Sequence, residues 1–146
     1  MKKEVLITIL GTVGSVISTA FGEFDVGLQT LMIFMAIDYI TGLLVAGVFH
    51  KSGKSETGCL ESRAGFKGLC RKGLILLVVL VAFRLDLLMG TVFLRDAAII
   101  AFVCNEALSI IENAGLMGIP VPERITDAIE VLNKKGEKPE EEINNN

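Results

Sequence analysis

Two carboxylates stand inside long apolar stretches of this chain, Asp38 within residues 28–49 and Glu106 within residues 97–118. Each has a hydroxyl three residues further on, Thr41 after Asp38 and Ser109 after Glu106. That spacing puts acid and hydroxyl on one face of a helix. The second polar stripe continues through Glu112 and Asn113, while Ile99, Phe102, Val103 and Ile110 supply apolar surface around it. An ionisable group in such surroundings is costly, which makes it a candidate for function. Two uses fit: the lining of a polar pathway or a proton-sensitive contact between helices or subunits, and a neutral acid hydrogen-bonded inside a bundle. The residue pattern leaves both open.

Little else in the chain offers chemistry. His50 is the single histidine, beside Lys51, with no Ser/His/Asp set or metal cluster around it. Cys59, Cys70 and Cys104 lack the paired spacing of a zinc site and read as reduced structural thiols. The glycines of the stretch 62–73 match neither a P-loop nor a dinucleotide fingerprint. The net charge of −3 gathers after Ile119, and no basic surface points to nucleic acid. The chain is therefore read as a non-enzyme with no cofactor, no metal and no nucleic-acid partner.

The elements that must position Asp38 and Glu106 follow from hydropathy. Half of the 146 residues (51%) are hydrophobic, mean hydropathy is +0.59, and the apolar residues come in blocks. Too little polar surface remains for a soluble fold. A helix needs about 20 apolar residues to cross the hydrocarbon of a bilayer. Four crossings are predicted at residues 5–21, 28–49, 69–85 and 97–118. The first is retained in preference to a cleaved signal peptide, since no small-residue cleavage site precedes a polar domain. The third is kept short so that Arg84 and Asp86 leave the bilayer interior, with a turn over 86–96 around Gly90.

Loop charges orient the bundle. The stretch 50–73 holds six bases against two acids, whereas 22–27 holds two acids and no base. Basic loops stay inside. The prediction is an all-α integral membrane protein with four transmembrane helices, N-in and C-in, multi-pass in a bacterial (host) cytoplasmic membrane. Residues 1–118 form the transmembrane domain. From their positions along the second and fourth spans, Asp38 and Glu106 lie about 15 and about 13.5 Å from the outer boundary, at one level.

Small residues at four-residue spacing, Gly14 and Ser18 (then Gly22) in the first span and Gly42 and Ala46 in the second, suit close helix packing, within the bundle or between copies. Arg63, Lys67, Arg71 and Lys72 form a basic loop at the membrane surface, attracting anionic lipid by about 1 kcal/mol each. Residues 119–135 contain an i, i+3, i+4, i+7 stripe (Ile125, Ala128, Ile129, Leu132) and predict a short amphipathic cytoplasmic helix. Residues 136–146 are acidic and Asn-rich and predict a disordered tail.

Three stretches resemble one family, the toxin-secretion and phage-lysis holins. Asp38, Thr41 and Gly42 resemble its D-x-x-T-G element; Ser62, Gly65, Gly68 and Lys72 resemble its S-x-x-G-x-x-G-x-x-x-K element. Residues 105–113 followed by 116–122, NEALSIIEN then LMGIPVP, resemble the E-x-x-S-I-x-E/K-N … G-x-P-x-P run, the most specific of the three. The likeness spans roughly residues 32–132. It implies a homo-oligomer in the lipid bilayer that opens non-specific lesions, through which an endolysin or a large toxin leaves without required direct contact. It names no pore-lining residue. A small ion or solute channel or transporter subunit is the competing class, and a membrane anchor docking a partner through residues 123–135 is a third.

Overall fold

The computed structural model describes residues 2–54 and 61–137. Among these there are five helices and no strand: α1 Lys2–Phe21, α2 Val26–Gly47, α3 Ser62–Met89, α4 Phe93–Leu116 and α5 Glu123–Glu137. Glu56 and Cys59 of the basic loop, and the acidic tail from residue 138 on, lie outside the described residues.

Helix α2 starts where Asp25 caps it, its carboxylate accepting from the Leu28 amide at 2.9 Å. One stripe of α2, Leu28, Leu31, Met35, Asp38, Val45 and Ala46, is buried. Helix α3 buries Lys72, Ile75, Val79 and Asp86, at spacings of three, four and seven. Helix α4 supplies Ile99 and Val103, and the three helices share one core of Leu28, Leu31, Met35, Ile75, Val79, Ile99 and Val103. Repeats of three and four residues keep one seam facing its neighbours. The buried ionic groups thus occupy core positions of the same seams that carry the aliphatic residues.

Helices α1 and α2 are long and apolar enough to cross a membrane. Helices α3 and α4, with 28 and 24 residues, have the length and also carry charge. The helix that carries the predicted third span runs past residue 85, to Met89. The chain then turns within Gly90–Val92, Gly90 taking the left-handed conformation at φ 68° that suits a residue without Cβ. Of the two charges here, Asp86 is buried and Arg84 is exposed. The Asp86 carboxylate accepts from Thr91 Oγ1 (2.6 Å), Leu94 N (3.1 Å) and Arg95 N (2.8 Å), serving the open amides at the start of α4. Helix α4 consequently begins at Phe93, a turn before the expected 97.

Helix α1 has no buried residue. Its small-residue stripe packs on nothing: a Cβ at Gly14 would meet no atom within 4 Å, and Ser18 is exposed. Contact comes at its far end instead, where Gly22 (φ 78°) sits under the Phe83 ring, which a Cβ would approach to 2.8 Å. The small residues of α2 do pack, Ala46 being buried and Gly42 lying near Asn113. After Pro122, α5 turns back along α4, with Leu132 against the core and Gly136 against Ile100. Gly136 and Glu137 therefore belong to this helix and not to the tail.

Candidate functional site

Asp38 and Glu106 face each other across the seam between α2 and α4, and Lys72 of α3 stands between them. The Lys72 ammonium donates to Asp38 Oδ2 at 2.8 Å and to Glu106 Oε2 at 2.5 Å. All three residues are buried, at 9%, 7% and 3% exposure. Counted from the observed helix starts, Asp38 lies about 18 Å along α2 and Glu106 about 19.5 Å along α4. The two remain level, each a little further along its helix than when counted from the predicted span limits.

Lys72 departs from the surface role given to it with Arg63, Lys67 and Arg71. Those three recur every fourth residue on an exposed face of α3, whereas Gly65, Gly68 and Lys72 share the opposite, inward face. Gly65 and Gly68 face Tyr39 of α2, where a Cβ would make ordinary contact with the hydroxyl at 3.6 Å and the ring at 3.8 Å. A lysine near a helix end ordinarily extends toward water. Here two buried carboxylates outcompete water, because neither could remain ionised among the aliphatic residues without a cation.

Polar neighbours complete the cluster. The Asn113 amide donates to Asp38 Oδ1 (3.1 Å) and to Thr41 Oγ1 (2.9 Å), and Thr41 donates back to the Asp38 carbonyl (3.1 Å). Lys54, on the segment after α2, donates to Ser109 Oγ at 3.3 Å and lies 3.9 Å from Asp38 Oδ1. Two carboxylates thus meet two ammonium groups and the formal charge sums to zero. Lys54 is more than half exposed, so the cluster reaches solvent along this side chain. Glu112 alone among the sequence-predicted polar residues stays outside, exposed on α4.

A second ionic centre, absent from the sequence reading, ties the opposite end together. Arg95 of α4 is buried and clamps the α1–α2 connection: Nε donates to the Phe21 carbonyl (3.0 Å), Nη2 to the Glu23 carbonyl (2.8 Å), and Nη1 to Asp25 Oδ2 (2.7 Å) and Asp96 Oδ1 (3.3 Å). Partial burial pushes the Asp25 carboxyl upward, but the Arg95 hydrogen bond and charge, with the backbone amides of Leu28 and Gly27, hold it below its ordinary 3.8. Arg95 fixes where α2 starts, and hence the level at which Asp38 arrives. The signal was the acidic pair flanking a connection too short to bury its own carbonyls.

The arrangement is a set of fixed charges that hold helices in register. It offers no nucleophile poised beside a base, and no group of three or more His, Cys, Asp or Glu placed to hold a metal occurs among the described residues.

Comparison with known proteins extends this picture. The bacteriophage holin family model matches residues 15–134. A Listeria innocua protein of uncharacterised function is 40% identical over 136 residues, covering 92% of this chain and 91% of its own length. A 14.9 kDa protein encoded in the nagH 3′ region of Clostridium perfringens is 38% identical over 126 residues, covering 85% and 89%. A protein of Bacillus phage phi105 named a probable holin is 35% identical over 113 residues, covering 77% of each chain. No solved structure matches the chain. With the family model running from α1 through nearly all of α5, and across every residue of the ionic cluster, the chain belongs to the bacteriophage holin family.

Proposed function

We propose that this protein is a holin that crosses the cytoplasmic membrane of a bacterial host four times with both termini inside, oligomerises, and opens lesions through which an endolysin, or a large toxin, leaves. Family membership supports the membrane location and the non-enzymatic role. The observation that carries the mechanism is the Lys72 ammonium between Asp38 and Glu106.

In a single bundle surrounded by lipid these charges satisfy one another, and separating α2, α3 and α4 would expose them to hydrocarbon. In an assembly with a water-filled interior the same charges are hydrated, and separation loses its penalty. The cluster therefore holds the closed bundle until enough copies gather to supply water. Membrane potential adds a bias, since moving one charge through 100 mV is worth about 2.3 kcal/mol. Helix α3 at 28 residues is about 42 Å long, against roughly 30 Å of hydrocarbon. Its first turns, with Arg63 and Lys67, project into the headgroups on the inner side and attract anionic lipid. Arg71 lies at the boundary.

The test is induction of the chain together with a separately expressed endolysin, with turbidity recorded over time. An abrupt, delayed drop is expected. Insertion into the membrane without any drop overturns the proposal.

A further inference from the structure

Helix α5 is docked where a lipid-embedded α4 could not keep it. Its inward face is small: the Ile129 carbonyl lies 3.6 Å from Cys104 Sγ, Leu132 touches the core, and Gly136 packs on Ile100. Ile100 is only seven residues into α4, about 10.5 Å from its start. The C-terminal half of α5 thus runs beside the middle of α4. Seven of its fifteen residues are charged, and Glu130 and Lys134, paired with each other at 2.8 Å, are each about two-thirds exposed. Ile125 and Val131 are exposed as well, so apolar burial on this face is slight.

On the four-crossing holin reading, that level of α4 lies within the hydrocarbon. Charged side chains facing acyl chains there cost far more than burial of Ile129 and Leu132 returns. Facing water, the same groups cost nothing and the apolar contacts decide. We propose that α5 has two positions: away from α4, on the inner membrane surface, while α4 is surrounded by lipid, and docked on α4 once that side borders water. The face Ile100, Cys104 and Leu108 lies on the side of α4 away from Glu106, so α5 of the same chain occupies it in the assembled state while the Lys72 cluster is still made, and opening of the lesion follows. The cavity between the helices mixes polar side chains, Asn105, Glu130 and Asn133, with apolar ones, Ala101, Leu108 and Ile129.

The test joins Cys104 to Ile129→Cys in a Cys59→Ser, Cys70→Ser background, with copper phenanthroline and oxygen as oxidant and cross-linking followed by mass spectrometry of the digested protein. Membranes are sampled before and after permeabilisation. At least a fivefold rise in the intramolecular disulfide after permeabilisation is expected, and likewise for Ile100→Cys with Gly136→Cys in a Cys104→Ser background. Equal yield before and after, or no disulfide in either pair, overturns the inference and leaves the holin reading standing. No permeabilisation by the unsubstituted chain with endolysin present overturns that reading, and the inference with it.

Discussion

Replacing Lys72 by methionine removes the ammonium and keeps an unbranched side chain of similar length. Asp38 and Glu106 are then left buried and facing each other, with Lys54 the nearest remaining cation at 3.9 Å from Asp38. Removing one partner of a buried ionic set costs about 3 to 5 kcal/mol. An independent ceiling agrees: an orphaned carboxyl escapes burial as an ion by taking a proton, which at pH 7 costs an ordinary Asp or Glu about 4 kcal/mol. At about 1.4 kcal/mol per decade, the closed bundle loses roughly two to three decades relative to a state in which water reaches the carboxylates. Lysis with endolysin supplied should begin earlier than in the parent at equal accumulation in the membrane, measured by turbidity and immunoblot. Lys72→Arg should restore most of the delay. The triple variant Lys72→Met, Asp38→Asn, Glu106→Gln carries no charge to expose, and its onset should lie nearer the parent than that of Lys72→Met alone. Parental timing for Lys72→Met at equal accumulation would refute the reasoning.

Asp38→Asn and Glu106→Gln each leave the Lys72 ammonium one carboxylate and should shift lysis onset without abolishing insertion; unaltered onset in both variants removes the cluster from the mechanism. Gly22→Ala combines a left-handed backbone with a 2.8 Å approach to Phe83; the backbone part costs about 1 to 2 kcal/mol, so Phe83→Ala should recover only part of the lost thermal stability. Asp25 has its folded-state pKa lowered, so its contribution to the Arg95 clamp is fully present above its ordinary 3.8 and is lost as pH falls through the lower folded value. Hydrogen exchange at the 22–28 amides should accordingly be flat from pH 5 to 8, after correction for intrinsic rates, and rise in more acid solution, with Arg95→Ala raising it at every pH. Deleting residues 123–146 should leave lysis largely intact, whereas loss of all function would favour the anchor reading.

The sequence leads to the pairing of Asp38 with Glu106 through a single physical argument: two acids at equal distance along parallel-running apolar segments arrive at one level. The observed helix starts move both by a few ångströms and keep them matched. Lys72 escapes that argument because counting loop charges treats every base between two apolar segments alike. What separates it from Arg71 is register: Gly65, Gly68, Lys72, Ile75 and Val79 recur at threes and fours, and that seam places an ammonium between two small residues and two core residues. The same seam counting would place Asp86 inward and lengthen α3 to Met89. Arg95 was hidden for a different reason, since two of its partners are backbone carbonyls of a remote connection, which no side-chain pattern encodes, and the acidic pair there was its one signal. Gly14 and Ser18 mark the limit of composition, because small residues permit close packing without specifying a partner.

The two ionic centres differ in what each can do under strain. At the α1–α2 end, Arg95 gathers the Phe21 and Glu23 carbonyls and the Asp25 carboxylate, three acceptors within five residues of one another, so they hold to it or leave it as a single group. In the Lys72 cluster, Asp38, Lys72 and Glu106 come from three helices whose sequence separation is 34 residues at each step, so each can leave with its own helix. Rearrangement that keeps the Arg95 clamp and parts the Lys72 cluster is therefore a splaying motion with its hinge beside Arg95. It opens the bundle from the side where Lys54 already meets water. On this argument Lys54→Met should slow opening by withdrawing the solvated ammonium that first follows Asp38 outward, while Lys72→Met speeds it. Variants of two lysines at one carboxylate would then move lysis onset in opposite directions, an outcome that simple loss of positive charge does not produce.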